Sequence, residues 1–166
     1  VLKNISFVIQ PGQTVAFVGP TGSGKSTVAN LLLGFYQISQ GQILIDDRPL
    51  EMYSLKELRK KIGLVHQDPF LFAGTIRSNI TLNDSSLSAE EMEQAVSWIE
   101  QLPQQYDQPV KERGSTLSTG ERQLISLART LVRKPKILIL DEATANIDTE
   151  TEEKIKAALD LATQNR

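Results

Sequence analysis

Apolar and polar positions alternate in two rhythms along this chain. Val1 to Ile9 partly alternates, which predicts a strand with one buried face. Pro11-Gly12 marks a turn into Val15–Val18, a short β-prone run. From Val28 to Leu33 the pattern is helical and stops near Gly34, and Gly41 to Ile45 reads as another strand before the polar turn Asp46-Asp47. Ser54 is placed to cap a short helix through Leu55, Leu58 and Lys61. Ile62 to Gln67 has the profile of a buried parallel strand whose far end meets a ligand, and Asp68-Pro69 breaks it. Phe70 to Gly74 is apolar for a connection, and is either core or a docking surface.

A short helix is expected over 75–82, then a polar loop over 83–87. Ser88 and Glu91 fit a capping box opening a helix through Met92, Ala95, Val96, Ile99 and Leu102. Pro103 to Thr116 reads as loop. Helical spacing returns from Leu117 through Leu124, Leu127, Ala128 and Leu131, with Pro135 as the stop. Ile137–Leu140 is a buried strand ending in Asp141-Glu142. A last helix starts around Thr149, in a Thr-x-x-Glu box with Glu152, and runs through Ile155, Ala158, Leu159 and Ala162. Strands alternating with helices predict an α/β sheet, parallel at its centre.

Composition changes this picture little. The chain has 166 residues, 40% hydrophobic and 23% charged, the balance of one ordinary globular domain. A net charge of −2 gives no global electrostatic pull toward nucleic acid or anionic lipid. Without cysteine there is neither a disulfide framework nor a thiolate metal site. Apolar runs such as Ile137–Leu140 fall far short of the roughly 20 residues a membrane-spanning helix needs. The chain opens in mid-pattern at Val1 and reads as a piece of a longer polypeptide.

Candidate chemistry starts at Gly19-Pro20-Thr21-Gly22-Ser23-Gly24-Lys25-Ser26-Thr27, which fits G-x-x-x-x-G-K-[ST] between a predicted strand and a predicted helix. Glycines let the backbone curl so that successive N–H groups point inward at an anion. The helix start adds unpaired N–H groups and the positive end of its dipole. Lys25 is placed to reach the β- and γ-phosphates of a nucleoside triphosphate, and the Ser26 hydroxyl to bind Mg²⁺. The second half of the site is Asp141-Glu142. An aspartate at the carboxyl end of a buried strand can hold Mg²⁺ through water, opposite Ser26. Glu142 can orient or deprotonate the attacking water.

Leu117-Ser118-Thr119-Gly120-Glu121, followed by Arg122-Gln123, resembles the signature motif of ATP-binding cassette (ABC) proteins, usually written LSGGQ. Phosphate loop, glutamine loop at Gln67, signature and Ile137–Glu142 stand in that family's order, and Ala145 to Asp148 resembles its D-loop. Gln67 to Ile76 with Asn79-Ile80, and Val110 to Gly114, resemble exporter-type stretches. The altered signature and the run Ala143–Asp148 resemble bacterial half-transporters that pair as heterodimers in multidrug export.

The resemblance implies a P-loop NTPase fold: a mainly parallel sheet flanked by helices, an antiparallel β portion near the N-terminus, and a helical subdomain carrying the signature. It implies one ABC-type domain over 1–166, with about 1–70 and 133–166 as catalytic core and about 71–132 as the helical part. It implies ATP and Mg²⁺ as cofactors, ATP hydrolysis, a second nucleotide-binding domain as partner, and a transmembrane domain on the same full-length chain. The place implied is the cytoplasmic face of the cell membrane. Ser118 and the Gly120 backbone are expected to grip the γ-phosphate of ATP held by the partner. Gln67 is expected to sense Mg²⁺ and the attacking water, and Asp148 to relay contact across the dimer.

Two departures stand out. Thr119 replaces a glycine, and Glu121 replaces a glutamine whose new carboxylate weakens a triphosphate site if it points inward. The lone His66 is expected to be structural or solvated. Two other readings stay open: an ATP-gated cassette with little turnover, and a soluble ABC ATPase acting on nucleic acid or ribosomes.

Overall fold

The structure, a computed structural model, describes residues 2–87, 99, 104–141 and 149–163. Its organising pair is β3 (Ile62–Val65) and β6 (Ile137–Leu140), which run parallel with Ile62 opposite Ile137 and Val65 opposite Leu140. Both strands are continuous apolar runs with helices packed on each face. β6, expected to be buried, is covered only in part: Ile137, Leu138 and Ile139 are half-buried and Leu140 is 42% exposed, since the pair has no further strand beside it among the described residues. On one face Ile62, Leu64, Ile137 and Ile139 pack with Leu32 and Leu33 of α1 (Lys25–Leu32 and its cap) and with Leu58 of α2 (Leu55–Lys61). On the other, Val65 and Leu138 join Leu124, Leu127, Ala128 and Leu131 of α4 (Thr119–Leu131) and Ile155 of α5 (Thr149–Thr163). Alternation along each strand thus builds three layers. Gly63 faces the end of α4 so closely that a Cβ there would stand 2.5 Å from Thr130 Cγ2, and 2.8 Å from Cγ of Pro135 beyond the helix.

Two short antiparallel ladders complete the described pairing. β1 (Leu44–Ile45) and β2 (Arg48–Pro49) form a hairpin closed by Asp46 and Asp47, both at positive φ (51° and 60°), as a tight two-residue turn requires. β4 (Gly74–Thr75) pairs with β5 (Pro109–Val110), so the expected loop over 103–116 contains a strand, together with 3₁₀ turns at Gln105–Asp107 and Glu112–Gly114. α3 (Ile76–Thr81) follows β4 at once. Helix starts are fixed by reciprocal capping boxes: Ser54 with Glu57, Thr75 with Ser78, and Ser118 with Glu121. Hydrogen bonds from the Ser54 hydroxyl and amide lower the pKa of the Glu57 carboxyl.

Three expectations need correction. The runs 1–9 and 15–18 carry no ladder among the described residues. A turn in which Gln13 N–H donates to Gln10 O (3.1 Å) folds them back, and Phe7 meets Phe17 edge to face at 5.3 Å. Alternation supplies a face to bury but no backbone partner, and Ile5, Val8, Val15 and Val18 stay exposed. The strand expected over 41–45 is paired only at Leu44 and Ile45, and that expected over 62–67 ends at Val65, before the polar pair His66-Gln67. The helix expected from Ser88 to Leu102 lies outside the described residues, apart from the buried Ile99. Among the described residues no helix is long and apolar enough to cross a membrane.

Candidate functional site

Three of the four helices with a described N-cap carry a side-chain cap; α1 does not. Its cap is Gly24, held at φ 98°, a left-handed conformation that glycine adopts without strain. Gly24 O accepts from Thr27 N (3.1 Å) and Val28 N (3.2 Å), which leaves the amides of Lys25 and Ser26 as the unpaired start of the helix. Before it, Ser23 N donates to Pro20 O at 3.2 Å, and Gly22 turns the loop at φ 83°. A Cβ on Gly19 would come within 2.9 Å of Ser23 Oγ, so the loop closes tightly on its own side chain. Lys25 Nζ folds back to donate to Gly19 O (2.8 Å) and Pro20 O (3.1 Å). Thr21, Ser23 and Ser26 are exposed and Thr27 is half-buried. Uncapped amides, an ammonium and hydroxyls around one curl of backbone make a cradle for a phosphate chain.

Gln67 and Asp141 share the carboxyl-terminal rim of the parallel pair. Asp141 N–H donates to Val65 O at 3.0 Å, continuing the β3–β6 ladder, and Gln67 lies two residues beyond Val65. Asp141 is half-buried and Gln67 exposed. Glu142 and the D-loop residues 145–148 lie outside the described residues. Among the described residues no group of three His, Cys, Asp or Glu gathers into a metal cage. The Ser26 hydroxyl and the Asp141 carboxylate are oxygen donors of the kind Mg²⁺ takes alongside phosphate and water.

The signature begins α4. Ser118 Oγ accepts from Glu121 N (3.1 Å), while Glu121 Oε2 accepts from Ser118 N (2.7 Å). The carboxylate that replaces the signature's usual glutamine therefore turns back onto its own helix. Arg122 adds donations to Leu117 O (2.8 Å) and Thr119 Oγ1 (3.1 Å). Gly120 is buried against α5, where a Cβ would stand 2.9 Å from Thr151 Cβ. Its lack of a side chain thus serves helix–helix packing.

Sequence reasoning missed a set of polar groups behind this surface. Gln123, 2% exposed, donates through Nε2 to His66 O (3.3 Å) and to Gln67 O, and its Oε1 has no partner among the described residues. Arg129 donates to Phe70 O (3.0 Å), Asn79 O (2.7 Å) and Asn79 Oδ1 (3.2 Å). Burial, and then the nearby Arg133 guanidinium, lower its pKa. Asn79, fully buried, brackets Phe72 from both sides, accepting from its N–H and donating to its carbonyl, each at 2.8 Å. The available signal was a polar residue inside an apolar stripe, which costs free energy unless hydrogen-bonded. Phe70 and Phe72 themselves are exposed and meet edge to face at 5.1 Å, whereas Leu71 between them is wholly buried.

A family model described as ABC transporter matches residues 2–145. The putative ABC transporter ATP-binding protein exp8 of Streptococcus pneumoniae is 52% identical over the whole of this chain and 29% of its own length. For the probable multidrug resistance ABC transporter ATP-binding/permease protein YheH of Bacillus subtilis the figures are 53%, the whole chain and 26%. A solved structure of a bacterial Atm1-family ABC exporter with ATP bound superposes with a TM-score of 0.87 at 42% identity, covering 96% of this chain and 29% of that one. The chain thus spans between a quarter and a third of the length of these relatives.

Proposed function

This chain belongs to the ABC transporter family, as an ATP-binding domain of P-loop fold, and we propose that it is the motor of a membrane exporter. The observation that carries the reading is the uncapped start of α1 behind a glycine curl, with Lys25 in the same loop. Residues 19–27 bind the triphosphate: the amides of Lys25 and Ser26 and the ammonium of Lys25 face its charge. Ser26 and Asp141, with Gln67, would hold Mg²⁺, and such an ion would supply charge neutralisation at the transferred phosphoryl group. Glu142 orients and deprotonates the attacking water. Ser118 and the Gly120 backbone close on ATP held by a second nucleotide-binding domain. ATP-driven closure and its release on hydrolysis work a transmembrane domain carried on the same full-length chain, at the cytoplasmic face of the membrane.

Several observations favour this reading over a soluble ABC ATPase acting on nucleic acid or ribosomes. The net charge is −2, and two of the relatives named above are described as an ATP-binding/permease protein and an exporter. A heterodimer is the pairing we favour, given the altered signature at Thr119 and Glu121. The test is ATPase activity of the full-length protein in lipid vesicles, with its partner where one is required. Lys25→Ala is expected to lower kcat about 100-fold or more, since it removes charge stabilisation at the transferred group. An unchanged rate contradicts the assignment.

A further inference from the structure

Two polar side chains of α4 reach backward to the main chain of residues 66–72, the stretch that carries Gln67. Gln123 takes the carbonyls of His66 and Gln67; Arg129, six residues and about 9 Å further along the helix, takes that of Phe70. Arg129 also holds Asn79, which in turn fixes both main-chain groups of Phe72. Leu71 O accepts from Arg113 N at 3.0 Å, so the stretch is also tied to the segment leading into the signature. These bonds grip backbone, so they hold the path of the loop whatever its side chains do. Ser118 stands at the start of the same helix.

We propose that Gln123 and Arg129 are positioning residues that fasten the glutamine loop to the signature helix, so that Gln67 and Ser118 shift as one body. The idea rests on the reading above, in which Gln67 serves the ATP of its own domain and Ser118 that of the partner. On that reading, the tether passes a displacement at one ATP to the other within a single domain. Gln123 shows the character of such a tether. It is buried among Val65, Leu127, Leu140, Ile155 and Leu159, where an apolar residue of its size would fill the space and remove an Oε1 that has no partner among the described residues. Packing alone gives no reason for an amide there.

The test compares wild type with Gln123→Met and Arg129→Lys in the full-length transporter. Amide hydrogen exchange of residues 66–72 is read with and without ATP, alongside the ATP dependence of turnover. In Gln123→Met the thermal midpoint is expected to hold. Exchange in 66–72 rises about tenfold while residues 25–32 and 119–131 keep their protection. In the same variant kcat falls about tenfold with KM for ATP within about twofold, since the phosphate loop is untouched. Arg129→Lys, which keeps the charge but loses the fork, is expected to raise exchange at Phe70 to Phe72 in the same way. Unchanged exchange in both variants overturns the proposal, and so does a loss that spreads evenly over all segments with the thermal midpoint. Exchange needs no turnover, so an absent wild-type ATPase would refute the motor reading and still leave the tether measured.

Discussion

Gly120 shows how one residue can answer to two demands. The resemblance expects its backbone to face a partner's phosphate, while within the chain it lets α4 and α5 touch. Glycine to alanine inside a helix ordinarily stabilises by about 1 kcal/mol. Here the new methyl meets Thr151, and overpacking of this kind costs about 1–3 kcal/mol. Gly120→Ala is therefore predicted to destabilise the full-length protein by about 1–2 kcal/mol, with Thr151→Ala in the same chain recovering part of the loss. Paired denaturation curves check it, and additive effects contradict the contact. At Lys25 the loop pattern names a residue and a chemical reason for it, and the structure places its ammonium on Gly19 O and Pro20 O of the same loop. Gln123, Asn79 and Arg129 were not legible in this way: a polar letter in an apolar stripe announces a hydrogen bond without naming the acceptor, and the acceptors of Gln123 and Arg129 lie 56 and 50 residues away.

At the scale of elements, the signature helix gives the altered Glu121 a local partner, the Ser118 amide. In the capping box Ser118-x-x-Glu121 either carboxylate or amide can reach back to the Ser118 amide. Glu121→Gln is accordingly predicted to change stability by less than about 0.5 kcal/mol and to leave the apparent ATP affinity of the assembled transporter within about twofold. A large gain in affinity would mean that the carboxylate faces the partner's triphosphate. Longer elements were legible: α4 shows a helical period, and β3 and β6 are short continuous apolar runs between polar breaks. Ladders of two residues, β1–β2 and β4–β5, repeat too briefly to declare a period. Runs 1–9 and 15–18 show the converse, a readable alternation with no ladder among the described residues.

On the scale of the whole molecule, the three layers around β3 and β6 place Gln67 and Asp141 on one rim, and Gln123 near the start of α4 reaches that same rim at His66 O and Gln67 O. Fold class was legible because element order and motif order agree. Exposure was not, since Val15–Val18 reads as an apolar, β-prone run and stands largely in solvent. Ile5, Phe7, Val8, Ile9, Val15, Phe17 and Val18 together present apolar surface that a soluble monomer rarely tolerates. The isolated 166-residue segment is predicted to bind a hydrophobic dye strongly and to aggregate on heating. A sharp, reversible thermal transition without dye binding would contradict this.

In the proposed motor, Glu142 is the base for ATP hydrolysis and Lys25 the phosphate anchor. The most direct measurement is steady-state ATPase activity of the full-length transporter in lipid, wild type against Glu142→Gln. The wild type is predicted to turn over about 100-fold faster or more, with ATP still bound by the variant, because removing the base slows the chemical step and leaves the cradle of residues 19–27 intact. A wild-type rate no higher than that of Glu142→Gln would contradict the motor and leave an ATP-gated clamp in its place.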